Sequence, residues 1–337
     1  MRHKALVFLL LLSGSSIVDV SEATAGERMV VPIHALERHD IVRYWIPVKI
    51  GAKTVEALLD TGSTGLHVMG STVSNQDYAP TGQQMRYSYS NGQTILGDVA
   101  DAQVSFGDAA ETKTIPVDVI RDLTCNQTVK RCLMPLQKRL EDPGQLLGKE
   151  NYQAIIGASM PSPSLKATAP NPLVSFGDAW IINLPRSAQT EGQLIINPTA
   201  DDLSGFVRFP AAEGPNEGGG RDNPIHGCLT IEKSHKPYCG PFVLDNGNPK
   251  VLVIAPEPFH DWRPGTRATI SFGDDSTPAL KASFSVGSDM TDSSRLAVGP
   301  FPNFHQPPTR VLVGVEAYKH FSVLYDYKNS QIGLKRL

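Results

Sequence analysis

Along most of this chain apolar and polar residues alternate in short runs, and Gly, Pro, Asn or Asp separate one run from the next. Tyr44-Trp45-Ile46-Pro47-Val48-Lys49-Ile50-Gly51, Val104-Ser105-Phe106-Gly107-Asp108 and Arg267 to Phe272 each read as a strand. Ala179 to Leu184 and Gly192 to Ile196 are denser apolar strands, and Phe321 to Leu334 reads as a hairpin turning at Asp326-Tyr327-Lys328-Asn329. Helical spacing is confined to Leu133–Leu147 and Ala317–His320. Pro161 to Pro172 reads as a surface loop, and residues 211–227, with Gly218-Gly219-Gly220, as an exposed flexible one. The pattern predicts a mainly β protein.

Two stretches break the alternation in the same way. Val55 to Met69 reads VEALLDTGSTGLHVM, where the apolar run Ala57-Leu58-Leu59 leads into Asp60-Thr61-Gly62-Ser63 and Leu66 and Val68 follow. An ordinary surface turn would not bury its entry strand, so a carboxylate is being carried to a buried turn. Pro241-Phe242-Val243-Leu244 leads likewise into Asp245-Asn246-Gly247-Asn248, with Val251-Leu252-Val253-Ile254 beyond. The two aspartates stand 185 residues apart. Hydrolysing an amide with water needs a base and an acid together. Two carboxylates about 3 Å apart supply both, because they cannot ionise together and so share one proton. Each Asp also has a plainer reading: Asp60 as a turn residue capping its own backbone, and Asp245 as part of an Asn-Gly-Asn turn.

With both motifs in place, the chain resembles the pepsin-like, two-lobed aspartic peptidases over nearly all of its mature length. The resemblance implies a mainly β, two-lobed pepsin-like fold with the active-site cleft between lobes. It puts the N-terminal lobe at 26–188 and the C-terminal lobe at 189–337. Asp60 and Asp245 match the catalytic positions, and Thr61, Gly62, Ser63, Asn246, Gly247 and Asn248 support them. The segment Tyr87 to Gly97 is similar to the family's flap hairpin, with Tyr87 the better match to the flap tyrosine and Ser88 and Tyr89 beside it. Ile155-Ile156-Gly157 and Leu312-Val313-Gly314 match the segments that pack beside each Asp loop, and Phe321 to Leu334 matches the closing hairpin. Three positions depart from the family. Asn246 stands where a Thr hydroxyl usually bonds across to the other loop, and its amide is expected to donate a similar bond. Asn248 takes the place of a common hydroxyl residue and is expected to donate to Asp245 through its NH2. His67 fills the usual Trp slot, and is expected to pack or to support the flap rather than act as a base.

Composition narrows the function further. The 337 residues are 40% hydrophobic and 19% charged, enough for a large core. A net charge of −3 and a pI of about 6.3 argue against nucleic-acid partners, against strong attraction to membranes, and for mildly acidic to neutral working conditions. Arg2, His3 and Lys4, the apolar run Ala5 to Leu12 and the small residues Ala23-Thr24-Ala25 make residues 1–25 a secretory signal peptide. The mature chain is then exported, periplasmic or extracellular, with no stable membrane anchor. The few residues between Gly26 and the first strand leave no room for the long basic prosegment that many such enzymes carry.

Four cysteines allow three pairings. Adjacent pairing, Cys125–Cys132 and Cys228–Cys239, closes two short loops, each contributing roughly 2–3 kcal/mol. A metal site from His226, Cys228, His235 and Cys239 is the competing reading, and the irregular spacing and an oxidising compartment count against it. Asn126-Gln127-Thr128 fits a glycosylation acceptor in a eukaryotic host. The expectation is a monomeric aspartic endopeptidase that acts on polypeptides without metal or cofactor. The alternative is an inactive peptide- or protein-binding protein of the same fold, suggested by the altered second loop.

Overall fold

The computed structural model describes residues 26–38, 41–89, 92–108, 111–125, 152–160, 170–187, 190–212, 224–287, 293–300 and 309–337. The expected signal peptide at 1–25, the helical pattern of Leu133–Leu147, Asn126 and Cys132 lie outside them. The described residues form a mainly β protein of two sheets, one of 13 strands and one of 8, with few helical turns.

The first half of the chain supplies β1 (Met29–Arg38), β2 (Ile41–Ile50), β3 (Lys53–Asp60), β4 (Thr64–Met69), β5 (Tyr78–Ser88), β6 (Gln93–Phe106), β7 (Lys113–Cys125) and β8 (Ala154–Ala158). Next come β9 (Ala179–Asn183), β10 (Gly192–Ile196), β11 (Val207–Pro210), β12 (Ile225–Ile231), β13 (Tyr238–Val243) and β14 (Val251–Ile254). The last are β15 (His260–Asp261), β16 (Arg267–Gly273), β17 (Pro278–Ser285), β18 (Leu296–Gly299), β19 (Arg310–Leu312), β20 (Phe321–Asp326) and β21 (Gln331–Arg336). The larger sheet runs β11-β21-β20-β9-β10-β1-β2-β3-β8-β4-β7-β6-β5, and the smaller β15-β18-β14-β19-β13-β12-β16-β17. Strands from both sides of residue 188 therefore share the larger sheet, through the pairing of β1 with both β2 and β10.

Burial explains which segments alternate and which do not. In β2, Ile46, Val48 and Ile50 are fully buried while Lys49 points to solvent, the period-two signature of a strand with one covered face. Strands β4 and β8 are buried at every position, so their sequences read as continuous small and apolar runs. One core cluster reaches across both sheets and includes Phe106, Trp180, Phe242, Phe272 and Phe321. A second lies under the β5–β6 hairpin, where Leu58, Met69, Met85, Ile95 and Ile155 pack against Trp45, Tyr87 and Tyr89.

The strand order repeats. In the larger sheet β2-β3-β8-β4-β7 are neighbours, and in the smaller β12-β13-β19-β14-β18 follow the same plan. Strands β3 and β8 are parallel, as are β13 and β19; β4 with β7 and β14 with β18 are also parallel. Each half thus slots a short strand (β8 or β19) between the strand that enters the Asp turn and the one that leaves it. Outside the Asp motifs little sequence similarity marks this repeat.

Two loop expectations change at their described ends. Asn171 and Pro172 are buried, because the Asn171 amide donates to the Ser159 carbonyl at 2.7 Å and its oxygen accepts from Leu173 N at 2.8 Å, capping the short helical turn Pro172–Ser175. Ile225 to Gly227 belong to β12, where Gly227 lies against the Phe242 ring with no room for a Cβ.

Candidate active site

Asp60 is the last residue of β3, paired in register with Gly157 of β8. A Cβ at Gly157 would lie 2.4 Å from the Thr64 backbone, so only glycine lets β8 approach the first Asp turn. Asp245 follows β13, and the Leu312-Val313-Gly314 segment holds its turn in the same manner. Gly314 has φ of +66°, and a Cβ there would lie 2.6 Å from the Asn248 carbonyl oxygen.

The two turns face each other. A Cβ on Gly62 would sit 2.4 Å from the Asp245 carboxyl carbon, and one on Gly247 would sit 2.3 Å from Asp60 Oδ1. Each glycine leaves space for the opposite aspartate, so the two carboxyl groups are brought face to face. The chain thus brings together every residue of the two expected Asp motifs.

A buried lock joins the turns behind the carboxyls. Thr61 N donates to Asn246 Oδ1 at 2.7 Å, Asn246 N donates to Thr61 Oγ1 at 2.8 Å, and Thr61 Oγ1 donates to the Leu244 carbonyl at 2.7 Å. Tyr318 OH reaches Thr61 Oγ1 at 3.0 Å and the Leu244 carbonyl at 2.9 Å, and Tyr325 OH lies 2.7 Å from Tyr318 OH. The expected role of Asn246 is reversed in polarity. Its side chain accepts through Oδ1 instead of donating, because the group it meets is a backbone N–H, and its Nδ2 is left buried without a hydrogen-bond partner. Asn248 also departs from expectation: its Nδ2 donates to the Lys250 carbonyl at 2.7 Å and closes its own turn instead of reaching Asp245.

Replacing Thr61 by Val, which keeps the shape and removes the hydroxyl, leaves the buried Asn246 N–H without its acceptor and takes one of the donors from the Leu244 carbonyl, which Tyr318 still serves. The expected loss is about 2–4 kcal/mol, read as a lower urea midpoint. A change within about 0.5 kcal/mol, the range of ordinary surface substitutions, would show that the lock does not hold the turns together.

The pair is asymmetric. Asp60 accepts from Gly62 N at 2.9 Å through Oδ1 and from Ser63 Oγ at 2.6 Å through Oδ2. Asp245 has no side-chain donor of that kind, and its Oδ1 is buried without a hydrogen-bond partner. Burial, followed by the neighbouring Asp60 charge, pushes the Asp245 carboxyl up to about 8, against smaller opposing effects of the Gly247 N–H and the Arg43 guanidinium. Asp245 is the member pushed towards keeping a proton, and Asp60 is the member that its own turn supplies with two hydrogen-bond donors. Arg43, on β2, donates to the Gly247 carbonyl at 2.7 Å and ties the second loop to the first half of the chain.

The β5–β6 hairpin approaches this pair. Tyr87, on β5, and Tyr89, just past its end, bring their rings together at 5.0 Å. Burial, reinforced by Asp60, raises the Tyr87 hydroxyl well above its ordinary value, and burial does the same to Tyr89. Ser88, on the other face, is engaged across the hairpin with Thr94 Oγ1 at 2.8 Å. His67 packs beneath, its ring 4.9 Å from that of Tyr87, with Nδ1 2.9 Å from Asp118 Oδ2.

Cys228 and Cys239 stand opposite one another on β12 and β13 and form a disulfide, so neither sulfur offers a thiolate to a metal. His226 Nε2 lies 2.6 Å from Asp275. Cys125 is also disulfide-bonded, and its expected partner Cys132 falls outside the described residues.

Arg43, Asp118, Tyr318 and Tyr325 were not among the expected site residues. Asp118 left a trace in the sequence, as one carboxylate inside the apolar run Val117-Asp118-Val119-Ile120. The two tyrosines left none, since aromatic residues in a closing helix and strand usually belong to the core. The chain matches no known family model and no curated protein.

Proposed function

We propose that this chain is an exported, pepsin-like aspartic endopeptidase. The observation that carries the reading is the reciprocal seating of Gly62 on Asp245 and Gly247 on Asp60, which puts two carboxyls with unequal surroundings in direct contact. Asp60, ionised and held by Gly62 N–H and Ser63 O–H, takes a proton from a bound water. Asp245, protonated, gives its proton to the carbonyl oxygen of the peptide as the water oxygen bonds to carbon. The resulting diol collapses with proton transfer to the leaving nitrogen, and no covalent enzyme intermediate forms. The β5–β6 hairpin serves as the flap over a cleft between two lobes, with Tyr87 and Tyr89 excluding water above the pair. Substrates are extended polypeptides with apolar side chains flanking the cut. The protein works as a monomer without metal or cofactor.

The test is cleavage of an unfolded protein by Gly26–Leu337 from pH 3 to 8, with and without pepstatin, a statine compound that mimics the hydrated peptide carbonyl. Pepstatin-sensitive cleavage is expected. A folded sample that cleaves nothing anywhere in this range would overturn the reading.

The second reading, a pepsin-fold protein that binds peptides without cutting them, draws on one observation. Asn248 bonds to Lys250 and leaves Asp245 without the side-chain donor that Ser63 gives Asp60. Retained peptide binding with no turnover would favour it.

A further inference from the structure

The outer face of the β12–β13 hairpin gathers four metal-ligating side chains that take no part in the chemistry proposed above. His226 and Cys228 are two apart on β12 and so share a face. Cys239 stands opposite Cys228 on β13. Asp275 comes from the turn between β16 and β17, and β16 is the strand on the other side of β12. One ligand atom each from Cys228, Cys239 and Asp275 lies within 4.8 Å of the other two. His226 Nε2 lies 2.6 Å from Asp275 Oδ1, and Cys228 Sγ lies 3.2 Å from the same oxygen. A carboxylate from a neighbouring turn thus takes the place that the sequence suggested for His235.

Two thiolates, an imidazole and a carboxylate are the ligand types of zinc. Tetrahedral bonds of about 2.0–2.3 Å put neighbouring ligand atoms about 3.4–3.8 Å apart. Asp275 Oδ1 already stands 3.2 Å from Cys228 Sγ, and the His226–Asp275 pair opens from 2.6 Å by about 0.8 Å to admit the ion. The disulfide ties the two sulfurs together, and its reduction frees them as ligands. Reduction leaves the frame standing, because backbone ladders hold β12 between β13 and β16, and β13 between β12 and β19. Asp274 caps the turn that presents Asp275, accepting from Ser276 N at 2.8 Å and Thr277 N at 3.1 Å. The His226 and Asp275 side chains are 54% and 57% exposed, so an ion can enter from solvent and both groups can adjust to it.

We propose that Cys228, Cys239, His226 and Asp275 form a zinc site in the reduced chain, so that metal staples the β12–β13 hairpin before oxidation and the disulfide staples it afterwards. Loading zinc releases the two thiol protons and leaves two thiolates on the metal. An external disulfide is the oxidant that exchanges one staple for the other. It takes up two electrons and leaves as two thiolates, while the Cys228–Cys239 bond forms and the zinc ion is released. Either staple fixes the strand that runs from Cys239 towards Asp245. The four residues touch no reacting atom, and the site stands whether or not the chain cleaves peptides.

The experiment is titration of the intact, metal-free chain with cobalt and with zinc in tris(carboxyethyl)phosphine. That reductant takes oxygen from water to become the phosphine oxide and leaves two thiols. Reduced wild type is expected to show the visible bands of tetrahedral cobalt with sulfur-to-cobalt charge transfer in the near ultraviolet. Its zinc Kd is expected below about 0.1 μM, the weak end of structural zinc sites. The oxidised chain is expected to show no such charge transfer, since its sulfurs are not thiolates. His226→Ala and Asp275→Asn are each expected to weaken zinc binding at least about ten-fold, and Cys228→Ser to weaken it further. Zinc held by Cys125 would respond to none of these changes. Binding equally tight in all three variants would overturn the proposal, as would the absence of a cobalt–sulfur band in reduced wild type.

A readout on the wild-type protein alone covers the case in which a variant fails to fold. Alkylation of the reduced chain, followed by peptide mapping, is expected to show zinc shielding Cys228 and Cys239 from the reagent. Equal alkylation of these two residues with and without zinc would overturn the site. Peptide cleavage is not part of either readout. A chain that cleaves nothing yet shields both cysteines with zinc keeps the metal site and sinks the peptidase reading. Cleavage without zinc shielding does the reverse.

Discussion

Replacing Asp60 by Asn is expected to lower peptide cleavage by about 10³–10⁴-fold, the scale of a lost general base, with little change in the unfolding midpoint. Asp60 is the proposed base, and its two oxygens accept from the Gly62 N–H and the Ser63 hydroxyl. Asparagine still accepts those bonds through its amide oxygen, so the turn survives. It cannot take a proton from water. The loss should fall on kcat rather than KM, because the base acts in the transition state and not in holding the substrate. Wild-type rates in a folded Asp60→Asn sample would remove this residue from the chemistry.

The second large effect concerns Asp245 and is read in stability as well as rate. Its carboxyl is raised from an ordinary 3.8 to about 8. In the unfolded chain the group ionises near pH 4, whereas in the fold it keeps its proton until near pH 8. Over that window the native state binds more protons than the unfolded state, so stability from this group is complete below pH 4 and declines until about pH 8. Asparagine is neutral throughout and escapes the decline. Asp245→Asn should therefore melt with wild type at pH 3 and roughly 5 °C above it at pH 8, taking a few kcal/mol as the scale. Cleavage is lost at every pH, because the proton given to the carbonyl is gone. In wild type the same titration ends cleavage on the alkaline side near pH 8. Melting curves that coincide at both pH values would mean that Asp245 is not held protonated.

The strands that carry the site were legible in the sequence because burial on both faces leaves a distinctive run. Ala57-Leu58-Leu59 before Asp60 and Phe242-Val243-Leu244 before Asp245 are apolar without alternation, as strands in the middle of a sheet must be. The glycines stood in both motifs, but the room that each leaves for the opposite aspartate is visible only in the fold. What stayed hidden was the direction of hydrogen bonds. Residue type says that Asn246 can donate or accept, and only the fold places the Thr61 N–H against it. Asn248 was misassigned on similar grounds, since its nearest acceptor, the Lys250 carbonyl, depends on the path of the turn. Asp118 needed the pairing of β4 with β7, which puts it beside His67 and which no local pattern encodes.

The way the larger sheet is stitched bears on when the site can come into being. β1, near the start of the chain, pairs with β10, β10 with β9, and β9 with β20, so early strands wait for the last segment before the sheet is whole. The lock behind the carboxyls draws on Tyr318 and Tyr325, close to the end of the sequence. A growing polypeptide that already holds both aspartates lacks the clasp that sets them face to face until the segment of Tyr318 and Tyr325 has emerged and docked. The two-carboxyl centre is thus assembled from segments far apart in the chain and completed late in folding.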